Sequence, residues 1–261
     1  LEDESVAKTL EYAIDDWCIS QMAADLGRDD LEAAFLNRSM NYRNVFDTSL
    51  LFVRGRMSDG TWRTGFDPLY SHHFNSDFTE GNAWQYTWLV PHDVEGLISL
   101  FGSREMFLDR LDSLFTVEEE VRGEHASPDI SGLIGQYAHG NEPSHHIAYL
   151  FSMAGAPEKT EAMVRKIMSA MYTPEQDGIC GNEDCGQMSA WYVFSAMGFY
   201  PVNPADGRFI LGSPALDKAV IDLTDGKTFT VTAVNNSATS VNVESVLLNG
   251  AELDRNYITY N

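Results

Sequence analysis

Three segments of the chain crowd carboxylates, amides and aromatic rings together. The first is Thr79-Glu80-Gly81-Asn82-Ala83-Trp84-Gln85-Tyr86-Thr87-Trp88, running on to Pro91-His92-Asp93. The second is His139-Gly140-Asn141-Glu142-Pro143-Ser144-His145-His146, and the third runs from Gly181 through Asn182, Glu183 and Asp184 to Trp191-Tyr192. Each starts in loop-like sequence and feeds the start of a helical pattern. In a stack of helical hairpins such loops collect at one end, where they can form one pocket. Trp and Tyr rings stack on the apolar face of a pyranose. A carboxylic acid of raised pKa can protonate a glycosidic oxygen while a second carboxylate activates water. Asn, Asp and Glu oxygens are the hard donors that suit Ca²⁺. Against this stands a plainer reading, because the chain has 39 Asp and Glu and most of them must be solvated surface.

Other chemistries fit less well. Adjacent histidines on a helix point about 100° apart, so His145-His146 makes a poor metal pair, and no His-Glu-x-x-His motif is present. His72-His73 reads as loop, and His92 fits a ligand contact or a satisfied buried histidine equally. The sequence has no nucleophile elbow, Walker loop or dinucleotide fingerprint. Cys180 and Cys185 lie five apart across a turn, a spacing compatible with a disulfide, whereas Cys18 beside Trp17 reads as a buried thiol.

The elements that must position these residues are mostly helices. Val6, Leu10, Ala13, Ile14, Trp17 and Met22 form one stripe and predict a helix over 3–26, stopped by Gly27. A second helix is expected over 29–45, making a helical hairpin. Residues 47–81 are rich in Gly and aromatics and show no period. Helices are expected over 83–101, with a break or first-turn position at Pro91, and over 103–116, 130–138, 143–155, 157–172 and 187–198. After Tyr200 the pattern alternates like strands at 209–211, 219–223, 229–234 and 241–248, with hairpin-turn signals at Asp225-Gly226 and Asn249-Gly250. The expected fold is therefore mainly α, with a helical region over 1–200 and a small antiparallel β unit over 201–261.

Composition narrows the function. With 17 Lys and Arg the 261-residue chain carries a formal charge of −22, which argues against nucleic-acid partners and anionic lipid surfaces. No stretch of 18 apolar residues predicts membrane insertion. The chain opens on Leu1 with no signal peptide and stops in strand-like sequence at Asn261, so both ends are expected to be cuts from a longer chain.

The three segments, together with Thr9-Leu10-Glu11-Tyr12 and Asp15-Asp16-Trp17, resemble glycoside hydrolase family 92, the calcium-dependent inverting α-mannosidases. The resemblance implies an (α/α)6 barrel, here incomplete, lacking the N-terminal β-sandwich that precedes it in the family. It implies Glu80 as general acid and Asp184 as general base. Asn182 stands where the family motif can carry a second acidic group, which leaves Glu183 as an alternative base. It implies Asn141, Glu142 and Asp184 as Ca²⁺ ligands. Trp84, Trp88, His145, His146, Asn182 and Glu183 would contact substrate, and His139 would stand near the leaving group. The implied substrate is a mannose-containing glycan, from N-glycans or mannan, met in the periplasm, at the cell surface or outside the cell. The competing readings are a non-catalytic sugar-binding or structural remnant, and another (α/α)6 enzyme such as a phosphorylase or lyase. The last fits poorly, because a phosphorylase wants a basic anion site and these loops are acidic.

Overall fold

The structure, a computed structural model, describes residues 2–260. The chain forms two compact units, one running to Ser144 and the other starting at His145. The change from helix to strand falls within the second unit, after Met197.

The first unit opens with the expected helical hairpin, α1 (Ser5–Asp25) and α2 (Asp29–Arg38). Val6, Leu10 and Ala13 of the predicted stripe are buried, while Met22 is exposed. Gly27 is left-handed (φ 65°) and lets the Arg28 N–H turn back to the Ala23 carbonyl. The buried Asp16 carboxylate accepts from both Nε and Nη2 of Arg38, tying α1 to α2. A 3₁₀ segment, Ser39–Asn44, continues α2 and carries the buried Tyr42.

The aperiodic stretch 47–81 is indeed irregular, apart from the short pair β1 (Phe46–Asp47) and β2 (Phe52–Val53). Ion pairs organise it instead: Arg54 with Asp47, and Arg63 with Asp77. The helical stretch expected over 83–101 with a break at Pro91 is two helices, α3 (Ala83–Tyr86) and α4 (Val94–Leu100). Pro91 cannot continue the first, and Asp93 starts the second by accepting from the Gly96 N–H (2.9 Å). Tyr42 Oη donates to the same Asp93 carboxylate (2.6 Å), and Gly96 fits there because a Cβ would stand 2.0 Å from Asp93. Ser103 caps α5 (Arg104–Thr116) as its sequence predicts.

Residues 130–138 overturn the expected helix. They form a hairpin, β3 (Leu133–Ile134) with β4 (Tyr137–Ala138), across the two-residue turn Gly135-Gln136. Gly132 and Gly135 are both left-handed (φ 60° and 59°), which no right-handed helix accommodates. A glycine at the first turn position matches the twist of the flanking strands.

In the second unit the helix expected over 143–155 is broken. The 3₁₀ turn Ile147–Tyr149 leads into the short α6 (Leu150–Met153). The amphipathic α7 (Pro157–Met171), opened by Pro157, and α8 (Gln187–Met197) follow. Strands β5 (Phe199–Tyr200) and β6 (Arg208–Leu211) belong to a three-stranded antiparallel sheet, with β6 central, whose last member is β11 (Tyr257–Thr259). Strands β7 (Lys218–Asp222) and β8 (Thr228–Thr232) pair with Val220 opposite Thr230. Strands β9 (Leu247–Leu248) and β10 (Ala251–Glu252) turn on Asn249-Gly250, both left-handed, as that dipeptide predicts. Of the strand expected over 241–248, only Leu247 and Leu248 pair.

Gly135 lies against α5: a Cβ on it would come 2.4 Å from the Leu114 carbonyl oxygen. Gly135→Ala combines that overlap with a left-handed backbone, and it is expected to destabilise the protein by about 2–4 kcal/mol. A urea midpoint unchanged from the parent would refute this.

Candidate active site

In the first unit the site is built around Glu80. Its backbone is left-handed (φ 51°), unusual for a glutamate, and its side chain is half-buried. Hydrogen bonds fix the backbone around it. Tyr86 Oη donates to the Thr79 carbonyl (2.6 Å), and Asn141 Nδ2 donates to the Glu80 carbonyl (3.1 Å). Asn82 starts α3 with a full capping box: its Oδ1 accepts from the Trp84 and Gln85 N–H groups, and Gln85 Oε1 accepts from its N–H. Asn82 Nδ2 in turn donates to Oε1 of Gln136 (3.1 Å) in the β3–β4 turn. Gly81 permits the tight packing, since a Cβ there would meet the Tyr86 ring at 2.7 Å.

Burial pushes the Glu80 carboxyl above the usual carboxylate range. The negative charge of Asp129 adds to the rise. A hydrogen bond from Asn141 and the nearby His73 oppose it, and Glu142 adds a smaller rise. The same unit holds a cavity of about 220 Å³ lined by Arg54, Arg63, Phe66, Tyr70, Asp77 and Phe78, which the sequence reading did not single out.

In the second unit the loop before α8 carries three successive left-handed residues, Asp184, Cys185 and Gly186 (φ 49°, 56° and 94°). Thr173 N–H donates to the Gly178 carbonyl (2.9 Å) and closes the loop's base; a Cβ on Gly178 would strike the Thr173 carbonyl oxygen at 2.1 Å. Glu183 Oε1 accepts from the Ser189 N–H (3.0 Å), and its Oε2 from the Ser189 hydroxyl (2.9 Å). The exposed Asp184 carboxylate makes no hydrogen bond or ion pair among the described residues. Behind the loop, His145 is buried, with its Nδ1 3.1 Å from Gln187 Nε2 and its carbonyl accepting from Trp191 Nε1 (2.9 Å). Trp191 stacks flat on Tyr172, whose Oη donates to the Met188 carbonyl.

Comparison with known proteins settles the family. The glycosyl hydrolase family 92 catalytic domain matches residues 1–261. The chain belongs to glycosyl hydrolase family 92. It is similar to a family 92 α-mannosidase of Bacteroides thetaiotaomicron solved in complex with mannoimidazole. They share 45% identity at a TM-score of 0.93, over 99% of this chain and 34% of that one. It is also similar to a family 92 inverting mannosidase of that species, at 41% identity and a TM-score of 0.87, over 99% of this chain and 36% of that one. A fungal relative from Arthroderma benhamiae, described as an uncharacterized secreted glycosidase, is 30% identical over 97% of this chain and 33% of its own length. The chain thus spans about a third of the length of these relatives. Its own architecture is mainly helical with small antiparallel sheets, like that of its family 92 neighbours.

Within this family 92 chain the residues expected to act fall into distinct environments. Glu80 and Asn141 share a hydrogen bond in the first unit, where Glu142 lies exposed beside Asn141. Trp88, 1% exposed, stacks on Phe101 and meets the edge of Phe107. Trp84 is 7% exposed against Phe52 and under the Arg110 guanidinium. His139 is fully buried, with its Nδ1 2.7 Å from Tyr137 Oη. His146 is buried beside His145. Asn182, Glu183 and Asp184 are all exposed. His92 is half-buried, edge-on to the Tyr42 ring, with its Nε2 3.0 Å from the Ser39 carbonyl. Cys18, Cys180 and Cys185 are free thiols, and Cys18 is only partly buried.

The donor chemistry fits a hard cation. Among the described residues no three His, Cys, Asp or Glu side chains cluster as a metal site. An amide donor falls outside that pattern, however. Asn141 spends its Nδ2 on Glu80, so its Oδ1 makes no hydrogen bond among the described residues and stays available as a hard oxygen.

Glu183, with both oxygens on Ser189, does the work of a helix cap. Glu183→Ala is expected to lower stability by about 1 kcal/mol. A urea titration at neutral pH reads this directly, and an unchanged midpoint would show that the capping contacts contribute nothing.

Proposed function

We propose that the protein carrying this chain is a calcium-dependent, inverting α-mannosidase acting on terminal α-mannosidic linkages of N-glycans or mannan. The observation that carries this reading is the half-buried Glu80 carboxyl, raised in proton affinity and standing on a tightly bonded loop. Family membership and the α-mannosidases among the structural neighbours support it.

In this mechanism Glu80 gives its proton to the glycosidic oxygen as the bond from that oxygen to the anomeric carbon breaks. Asp184 takes a proton from the water that attacks the anomeric carbon from the opposite face. The product sugar leaves with inverted configuration, and the two carboxyl groups end with their protonation exchanged. Glu183, occupied by Ser189, is the poorer candidate for base. Asn141, Glu142 and Asp184 would hold the calcium, which when bound supplies positive charge to sugar hydroxyls. Asn182, Glu183, Trp84, Trp88, His145 and His146 are our candidates for shaping the sugar site, with His139 near the leaving group.

Residues 1–200 would then form part of an (α/α)6 barrel, with 201–261 as a trailing β unit and an N-terminal β-sandwich elsewhere in the protein. A secreted, periplasmic or cell-surface setting follows from the substrate, and the fungal relative described as secreted supports it.

Glu80→Gln in the full-length protein is expected to cut kcat on unactivated mannosides by about 10²–10⁴-fold, with far less effect on aryl mannosides bearing good leaving groups. Full activity on unactivated substrates would overturn the acid assignment. Because the Glu80 pKa is raised, the working, protonated form persists above the usual glutamate range and is lost as pH rises further. The alkaline limb of kcat/KM should therefore vanish in Glu80→Gln, and its survival would assign that limb to another group. A chelator should abolish turnover and added calcium restore it; turnover indifferent to chelator would remove the metal from the mechanism.

A further inference from the structure

We infer that Gln136 is a positioning residue for Glu80, working through Asn82. Gln136 is 1% exposed, and four of its polar groups are engaged. Its N–H donates to the Leu114 carbonyl (2.7 Å), and its carbonyl accepts from Gln85 Nε2 (2.8 Å). Its Nε2 donates to the Glu119 carbonyl (2.6 Å), and its Oε1 accepts from Asn82 Nδ2 (3.1 Å).

These bonds pass orientation along a line. The Glu119 carbonyl is an acceptor only, so it fixes Nε2 of Gln136 towards itself and Oε1 towards Asn82. Facing an acceptor, Asn82 must present Nδ2. Its Oδ1 is then left to receive the N–H groups of Trp84 and Gln85, which start α3. Asn82 lies two residues beyond Glu80, and Asn141 holds the Glu80 carbonyl from the other side. The left-handed Glu80 is thus pinned between two amides, one of them set by Gln136.

The inference rests on Glu80 being the general acid, and its test separates the two claims. Three variants of the full-length protein are compared: Glu80→Gln, Gln136→Met and Asn82→Ser. Asn82→Ser keeps a capping oxygen and loses the amide donor to Gln136 without burying a charge, so it reports even if Gln136→Met fails to fold. For each, kcat and KM are measured on methyl α-mannoside, a poor leaving group, and on 2,4-dinitrophenyl α-mannoside, which needs little acid help. A misplaced acid should cost kcat on the methyl glycoside roughly 10- to 100-fold, with little change in KM, and leave the dinitrophenyl substrate within about threefold. Equal losses on both substrates, or none, in the folded Gln136 and Asn82 variants would overturn the positioning role. If Glu80→Gln itself fails to discriminate between the substrates, the acid assignment falls instead.

Discussion

The chemistry proposed for this chain depends on holding one carboxyl in a backbone conformation that a glutamate rarely adopts. Glu80 is left-handed, and the first unit is arranged to keep it so. The residues before, at and after it are bonded through Tyr86, Asn141 and Asn82, each to a different partner. These bonds lie in a region where Gly81 through Val90 are all buried. Buried amides are costly unless satisfied, and here Asn82, Gln85 and Gln136 satisfy one another and the backbone. Trp88, two residues beyond α3, packs ring to ring with Phe101 and Phe107, which also meet each other edge to face.

The second unit solves a similar problem with different means. Asp184 also stands on a left-handed backbone, but its neighbours Cys185 and Gly186 are left-handed too, so the chain turns sharply into α8. Asp and Asn occupy that region more readily than most residues. Glu183 secures the first turn of the helix, and Tyr172 and Trp191 brace it from behind. Cap, turn and stacked rings leave Asp184 exposed while everything around it is engaged.

The motif segments were legible in the sequence because the residues that matter there are contiguous and chemically distinctive. The long helices were legible because Val6, Leu10 and Ala13, or the stripe of α7, carry their period openly. The hairpin at 133–138 was misread because Ile130, Leu133, Ile134 and Tyr137 fit a helical spacing. The two glycines that forbid the helix act through φ, which residue type hints at without fixing. Gln136 went unnoticed for another reason: a lone amide beside a turn glycine has no motif around it. Its importance arises only when the hairpin brings it to Asn82, 54 residues away in sequence. The roles of Glu80 and Asp184 came from family resemblance, since composition alone could not choose them among 39 acidic residues.

Under the proposed mechanism, the left-handed backbone at Glu80 also sets stability and activity against each other at a single residue. A side chain in that region costs about 1–2 kcal/mol relative to glycine, which occupies it freely. The fold would be easier to hold with glycine at this position, but in the proposed mechanism glycine would have no proton to give, so stability is exchanged there for a proton donor.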